Sequence, residues 1–310
     1  MTAFTLGTRG SELALRQAEW VRNALGERGV TAELVIIRTG GDAAVDRPLY
    51  ELEGKGFFTK ELEDALLAGT IDAAVHSLKD LPTTLPEGLA LAAVPRRAQP
   101  TEVLVSRDAG VTSLAGLRAG ATIGTSSLRR AAQIRYLRPD LHVVALRGNV
   151  PTRLGKVARG TDGLDAALVA GAGLERLGLE GRIAARLDPL LVMPAPGQGA
   201  LGLEVRGDDA RARGTLAPLD DPASARDVTA ERSLLAALEG GCQAPVAAYC
   251  AAGAELGTEG PHRLFGRVTA QDGAVQITAS APLDERAPAA AGVRVASLLR
   301  AAGASRLLGR

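Results

Sequence analysis

The chain repeats four segments in the same order, and this internal repeat constrains the fold more than any other feature. Each copy holds a short apolar run that breaks at glycine, a strand-like run, a helical stretch and a second strand-like run with an aspartate near its start. The matching segments are 5–8 and 122–125, 34–40 and 143–148, 59–67 and 152–158, and 71–75 and 164–168. A supersecondary pattern that recurs along one chain indicates a structural unit that occurs twice. The sequence therefore predicts two similar lobes.

Short apolar runs alternate with helical stretches in both copies. Parallel strands need helical crossovers, so this alternation predicts an α/β lobe with a mainly parallel sheet. Ligands of such sheets bind beyond the carboxyl ends of the strands. Those ends carry Thr8-Arg9, Arg38-Thr39, His76 to Asp80, Thr125 to Ser127, and Arg147-Gly148. We expect these polar clusters to surround one cleft between the lobes.

Proline-rich linkers at 95–100 and 193–199 bound the second copy of the repeat. The strand-like run 200–205 is predicted to return to the first lobe. After a further break at 217–222, a helix over 223–238, a hairpin turn at 271–273 and a last helix over 289–299 predict a small α+β domain. The predicted domains are lobe 1 (1–96 and 197–216), lobe 2 (97–196) and a C-terminal cofactor-attachment domain (217–310).

The composition argues against several classes of protein. A formal charge of +1 over 310 residues shows no single-sign bias that would point to nucleic acid or membrane, so any polyanion site must be local. An aromatic content of 3% leaves few rings on which bases can stack. No apolar window is long enough to cross a bilayer, and no leader-like segment opens the chain. We expect a cytoplasmic monomer that acts on a small molecule, without nucleic acid or membrane partners. The two cysteines and three histidines show no metal-ligand spacing, so no metal is expected.

The segment Thr125-Ser126-Ser127-Leu128-Arg129-Arg130 follows a strand and opens a helix. Free backbone N–H groups, three hydroxyls and two guanidiniums there suit a carboxylate or a phosphate. The alternative is an ordinary serine N-cap with arginines that face solvent. Further candidates lie at equivalent strand ends or helix starts and favour a ligand with many carboxylates. They are Arg9 with Ser11, Arg147, Arg153 and Arg176.

Asp80 and Cys242 are the candidates for chemistry. Asp80 ends the segment His76-Ser77-Leu78-Lys79-Asp80, where neighbouring cations would keep it ionised to hold a cationic intermediate. The alternative is a surface pair with Lys79. Cys242 follows two glycines and is expected to present an accessible thiol. Cys250 ends an apolar run and is expected to be a buried small hydrophobe, and His76 a packing residue rather than a ligand.

Eight segments occur in the order typical of one enzyme family. They are Thr-Arg-Gly-Ser (8–11), Thr-Gly-Gly-Asp (39–42), Gly-Lys-Gly-Phe-Phe-Thr-Lys-Glu-Leu-Glu (54–63), His-Ser-Leu-Lys-Asp-Leu-Pro (76–82), Gly-Thr-Ser-Ser-Leu-Arg-Arg (124–130), Leu-Arg-Gly-Asn-Val (146–150), Pro-Gly-Gln-Gly-Ala (196–200) and Glu-Gly-Gly-Cys-Gln (239–243). Together they resemble the porphobilinogen deaminases, the hydroxymethylbilane synthases, over nearly the whole chain. That family has two lobes like type II periplasmic binding proteins and a cysteine-bearing third domain.

The resemblance implies a transferase of tetrapyrrole (haem) biosynthesis. Cys242 would form a thioether to a dipyrromethane primer made from two substrate molecules, and Asp80 would stabilise the cation left when porphobilinogen loses ammonia. Four additions and a hydrolysis would release hydroxymethylbilane. Cofactor contacts would come from Lys79, Asp80, Thr125, Ser126, Ser127, Arg129 and Arg130. Substrate contacts would come from Arg9, Ser11, Gln17, Lys55, Arg147, Arg153 and Arg176.

The sequence departs from the family at two places. Glu51 stands in a loop position where relatives often carry lysine, so we assign it no carboxylate-binding role. The first linker lacks the acidic residue before Pro100 that many relatives have, which bears on hinge mobility. Two other classes compete with the transferase. One is a two-lobed solute-binding or effector-sensing module, and the other is a thiol hydrolase that pairs Cys242 with His76.

Overall fold

The computed structural model describes residues 3–40, 59–239, 245–256 and 260–309, apart from the side chains of residues 254 and 256. These residues form two compact units. One holds the described residues up to 98 together with residues 199–225, and the other holds residues 99–198 together with the described residues from 226 onward. The three-domain boundaries that the sequence suggests stay a prediction.

Thirteen strands and nine α-helices lie in the described part of the chain. The strands are β1 (Phe4–Arg9), β2 (Ala32–Ile37), β3 (Ala73–Ser77), β4 (Leu89–Ala93), β5 (Glu102–Ser106), β6 (Thr122–Gly124), β7 (His142–Val144), β8 (Leu164–Ala170), β9 (Ala185–Arg186), β10 (Leu201–Arg206), β11 (Val246–Ala251), β12 (Arg263–Thr269) and β13 (Gln276–Pro282). The helices are α1 (Glu12–Gly26), α2 (Lys60–Leu67), α3 (Leu128–Leu137), α4 (Val150–Arg159), α5 (Gly171–Arg176), α6 (Ala210–Leu216), α7 (Pro222–Ala237), α8 (Pro288–Ala301) and α9 (Ala304–Leu307).

The first unit is built on a five-stranded sheet of order β2-β1-β3-β10-β4. Strand β1 runs parallel to β2 and β3, whereas β10 runs antiparallel to β3 and β4. The return of the chain through β10 agrees with the prediction for the run 200–205. Leu6, Val75 and Leu203 from three of these strands are buried with Val21 of α1 in one apolar core. Their burial is the main favourable term that holds the sheet to its helices.

The second unit contains a sheet of order β7-β6-β8-β5-β9, which repeats the pattern of the first. Strand β6 runs parallel to β7 and β8, and the inserted strand β5 runs antiparallel to β8 and β9. The strands that the repeat pairs, β1 with β6, β2 with β7 and β3 with β8, occupy matching places. The prediction of two similar α/β lobes is therefore confirmed.

The second unit also contains an antiparallel sheet of order β11-β12-β13. Leu234 of α7 and Val295 of α8 pack on its buried face. Gly266 of β12 permits this close approach, because a Cβ there would lie 2.5 Å from Leu234 and 2.7 Å from Val295. The predicted helix, hairpin and last helix are all present, so the small α+β C-terminal part is confirmed. None of the described helices is long and apolar enough to cross a bilayer.

Candidate active site

Three hydroxyl residues join β6 to α3. Ser127 is the N-cap of α3 and its Oγ accepts from the Arg130 N–H at 3.4 Å. Thr125 Oγ1 accepts from the Ser127 N–H at 3.3 Å, and Ser126 donates its hydroxyl proton to the Leu146 carbonyl. The strand ends and the helix begins here because these side chains satisfy polar groups that the turn leaves open. The N-cap that the alternative interpretation proposed is present.

The two arginines at the start of α3, Arg129 and Arg130, do not face solvent, so that part of the alternative is wrong. Arg129 is 5% exposed and Arg130 6%, and both pair with Glu102, which is fully buried. Arg129 Nη2 lies 2.6 Å from Glu102 Oε1, and Arg130 Nε lies 2.9 Å from Oε2. Burial lowers the pKa of Arg129, and the charge of Glu102 opposes that effect. One carboxylate thus holds two guanidiniums at the start of α3.

We expect the substitution Glu102→Gln to lower the free energy of unfolding by about 3–5 kcal/mol, because it removes the charge that compensates two buried cations. The matched control is Glu175→Gln. Glu175 also pairs with an arginine, at 2.7 Å from Arg186, but that pair is partly exposed and is worth about 1 kcal/mol or less. Denaturant unfolding of both variants measures the difference. Equal losses in the two variants would contradict the assignment.

A second group of arginines lies around the start of α4. Asn149 caps this helix through a bond from the Thr152 N–H at 2.9 Å, and Arg153 Nε donates to the Gly148 carbonyl at 2.7 Å. Burial, followed by the positive charges of Arg130 and Arg147, lowers the pKa of Arg153 to about 10. Arg153 forms no ion pair with any described carboxylate. A desolvated cation among other cations is stabilised by an anionic ligand.

Arg176 is the last residue of α5. Burial lowers its pKa to about 10, against the opposing charge of Glu175. Arg147, Arg153 and Arg176 thus supply guanidinium groups from three places in the second unit, and the first two lie close enough for their charges to interact. This donor set fits a ligand that carries several carboxylates, which is the chemistry of a dipyrromethane with acetate and propionate side chains.

The first unit contributes the predicted residues of β1 and α1. Arg9 is the last residue of β1 and is half-buried, and Ser11 caps α1 by accepting from the Ala14 N–H at 3.3 Å. Gln17 is buried, and its Nε2 donates to Ser77 Oγ at 2.9 Å. Because Ser77 is the last residue of β3, Gln17 anchors the end of the strand that leads into Lys79 and Asp80.

Asp80 lies in a short 3-10 turn, Leu78–Asp80, directly after β3. Leu78 is fully buried and its N–H donates to the Ala200 carbonyl at 3.0 Å, so the backbone of the turn is held in place. The half-buried carboxylate of Asp80 forms no hydrogen bond or ion pair with any residue the structure describes, and a surface pair with Lys79 is absent from that part of the chain. A carboxylate held in this way remains available to a ligand.

His76 precedes this turn and is buried. Its Nε2 lies 3.0 Å from Oε2 of the fully buried Glu204 on β10. This agrees with the expectation that His76 is an interior residue.

Lys55, Glu51 and Cys242 lie outside the described residues, so their expected roles stay predictions. Cys250 is 5% exposed on β11 and its thiol donates to the Asp227 carbonyl at 3.5 Å, as expected of a buried thiol.

Asp227, Cys250 and His262 each place one possible ligand atom within 4.8 Å of the others. The guanidinium of Arg226 lies among them, with Nη2 2.9 Å from Asp227 Oδ1 and 3.1 Å from His262 Nδ1. That guanidinium and His262 lower the pKa of Asp227 against the effect of burial. A resident cation this close opposes a metal ion at the same ligands. Tertiary packing made this cluster, which the spacing along the chain did not indicate.

The fold defines a protein of two similar α/β lobes with a small C-terminal α+β part. The family model "Porphobilinogen deaminase, dipyromethane cofactor binding domain" matches residues 4–214, and "Porphobilinogen deaminase, C-terminal domain" matches residues 225–301. The chain belongs to the porphobilinogen deaminase family.

Curated relatives agree. The chain is 49% identical over 277 residues to a porphobilinogen deaminase of Syntrophobacter fumaroxidans, covering 89% of this chain and 87% of the relative. It is 47% identical over 311 residues to that of Moorella thermoacetica, covering 99% and 96%. Among solved structures, apo YehZ from Escherichia coli matches with a TM-score of 0.43 and 16% identity over 72% of this chain and 87% of that one.

The family assignment identifies the reaction. The chain is a transferase, a hydroxymethylbilane synthase, that condenses four porphobilinogen molecules head to tail with loss of ammonia. The growing chain is built on a dipyrromethane cofactor, and hydroxymethylbilane is released. The transferase expectation is confirmed over the solute-binding and thiol hydrolase alternatives.

The sequence interpretation missed Glu102. Its position at the start of the apolar run Val103-Leu104-Val105 is a signal that could have indicated it, because a carboxylate next to a buried strand usually needs a buried partner.

Proposed function

We propose that Asp80 is the catalytic residue of this transferase and that Cys242 carries the cofactor. The observation that supports the role of Asp80 is its carboxylate, which is held at the end of β3 and is not used by any described residue. When the substrate loses ammonia, its C–N bond breaks, the electron pair leaves with nitrogen, and the pyrrole becomes cationic. The carboxylate of Asp80 accepts a hydrogen bond from the pyrrole N–H group, and its negative charge stabilises the positive charge of the pyrrole.

When bound, the dipyrromethane supplies the free α-carbon to which substrate is joined. Formation of the new carbon–carbon bond releases a proton from that position, and in this proposal an Asp80 carboxylate oxygen accepts the proton and passes it to solvent before the next addition. The same residue then serves each addition, because the reacting groups are identical in every round. Asp80 therefore acts on charge and on protons, and it forms no covalent bond.

The arginines bind carboxylates. A guanidinium has five N–H donors, so the bonds from Arg129 and Arg130 to Glu102 leave donors for a ligand. We propose that these two residues, with Lys79, Thr125, Ser126 and Ser127, contact the cofactor. The substrate and the growing chain contact Arg9, Ser11, Gln17, Lys55, Arg147, Arg153 and Arg176. Each added pyrrole brings two more carboxylates, which accounts for the number of guanidiniums.

The substitution Arg153→Gln is expected to lower kcat/KM for porphobilinogen by about 10- to 100-fold, since a charge-assisted hydrogen bond contributes about 1.5–3 kcal/mol. The control is Arg159→Gln, on the same helix but exposed to solvent. We expect it to change kcat/KM less than about twofold. Steady-state kinetics of both holoenzymes measure the effect, and similar values for both variants would remove Arg153 from the binding role.

We further propose that the protein works as a cytoplasmic monomer with no nucleic acid partner. The formal charge of +1, with 36 basic and 35 acidic residues, supports the absence of a nucleic acid partner, because the chain has no overall excess of basic residues. Light scattering of the purified holoenzyme tests the oligomeric state, and a mass of two chains would contradict the proposal.

A further inference from the structure

Arg267 lies on β12 of the C-terminal sheet, and its guanidinium is almost fully buried. Its Nε donates to Thr278 Oγ1 of the neighbouring strand β13 at 3.0 Å. The two terminal nitrogens of the guanidinium donate to residues outside the C-terminal sheet. Nη1 donates to Gln133 Oε1 at 3.0 Å, and the carbonyls of Leu190 and Leu191 accept at 2.7 and 2.9 Å. Burial lowers the pKa of Arg267, so these acceptors have to compensate for a desolvated cation.

Gln133 connects Arg267 to the start of α3 through further hydrogen bonds. It is 1% exposed and one helical turn beyond Arg129. Its Oε1 also accepts from the Met193 N–H at 2.8 Å, and its Nε2 donates to the Met193 carbonyl at 2.9 Å. Arg129 Nη1 donates to the same carbonyl at 2.5 Å. A continuous chain of hydrogen bonds therefore joins Arg267 to Arg129, and every member of it is buried.

The turn between β12 and β13 contacts the same helix at its other end. Arg135 Nη1 donates to the Gln271 carbonyl at 2.8 Å. Gly273 has φ +78°, and a Cβ there would lie 2.6 Å from the Cβ of Arg135 and 2.7 Å from its carbonyl carbon. The tip of the hairpin thus touches the backbone of α3. Two points of contact, near Gln133 and near Arg135, define both the position and the rotation of the helix.

We propose that Arg267 is a positioning residue for the cofactor-binding end of α3. The C-terminal domain then has a second task besides presenting Cys242, because it sets the register of the helix that carries Ser127, Arg129 and Arg130. The physical reason is that rotation of α3 would break buried hydrogen bonds of this network and leave a buried donor or acceptor unpaired. This inference rests on the proposed role of α3 in carboxylate binding.

The test compares Arg267→Met with Arg263→Met in the holoenzyme. Arg263 lies four residues earlier on the same strand and donates to Ser280 Oγ of β13 at 3.0 Å. Both variants lose one bond to β13, but only Arg267→Met loses the bonds to Gln133 and to residues 190 and 191. We expect amide hydrogen exchange in α3 to be at least about tenfold faster in Arg267→Met than in Arg263→Met. We also expect a rise of about tenfold in KM for porphobilinogen in Arg267→Met, with kcat within about threefold.

A second pair of measurements makes the test decisive. The double variant Arg267→Met with Gln133→Leu should be non-additive in KM, because both changes break the same chain of bonds. If Arg267→Met does not fold, Arg267→Lys takes its place, since lysine keeps the positive charge but lacks the planar set of N–H donors of the guanidinium group. Unchanged exchange in α3, or faster exchange with unchanged KM, overturns the inference. A parental amount of dipyrromethane adduct together with a parental kcat/KM in Arg129→Gln would instead contradict the proposed cofactor-binding role of α3, which separates the two failures.

Discussion

The substitution Cys242→Ser is expected to abolish cofactor attachment. A thioether forms from a thiolate, and a serine hydroxyl is not ionised at neutral pH to replace it. The purified variant should have the mass of the unmodified polypeptide, should give no dipyrrole colour with acid Ehrlich reagent, and should lose about 100-fold or more of the turnover of the holoenzyme. Intact-mass analysis, the colour reaction and steady-state kinetics measure these three outcomes.

The matched control is Cys250→Ser. Cys250 is buried on β11 and its thiol is engaged with the Asp227 carbonyl, so it is not expected to react. We expect this variant to keep the added mass and the colour, with turnover within about twofold of the parent. An adduct that persists in Cys242→Ser, or that disappears in Cys250→Ser, would contradict the assignment of the cofactor to Cys242.

The substitution Asp80→Asn is expected to separate attachment from catalysis. The amide keeps the size of the side chain but carries no negative charge and accepts no proton, so it cannot stabilise the cationic pyrrole. The covalent adduct should remain, whereas kcat should fall by about 10²- to 10⁴-fold. Mass analysis followed by single-turnover kinetics on the same sample measures both quantities.

The control is Asp64→Asn, which removes the same charge from an exposed position on α2. Asp64 is paired with Lys60 at 2.7 Å in an exposed i,i+4 surface pair, and such pairs contribute little to stability. We expect its kcat to stay within about twofold of the parent. Near-normal turnover in Asp80→Asn would rule out the catalytic role, and equal losses in both variants would attribute the effect to net charge.

The architecture was accessible from the sequence because it depends on local patterns. The runs 5–8 and 122–125 share the same order of apolar residues and glycine. The structure places them in β1 and β6, each of which lies between two parallel strands in its own sheet. The hairpin around Gly273 was accessible for a similar reason, since Asp-Gly between two strand-like runs is a local turn signal. Strand and helix periodicity are properties of neighbouring residues, and these survive in any tertiary context that buries the apolar face.

The partners of buried polar groups were not accessible in this way. The sequence placed Arg129 and Arg130 at a helix start, but it did not indicate that Glu102 holds both. Glu102 and Arg130 are 28 positions apart, and Arg267 and Gln133 are 134 apart. No periodic pattern connects residues at such separations.

The sequence by itself determined the two repeated lobes, the C-terminal α+β elements and the family, because strand, helix and motif signals lie in short stretches of chain. Only the tertiary structure decided which of its buried arginines pair with an internal carboxylate and which have no described carboxylate partner. Arg130 is paired with Glu102, whereas Arg153 has no described carboxylate beside it and a pKa lowered to about 10. The reason is that the energy of a buried charge depends on which groups surround it in space.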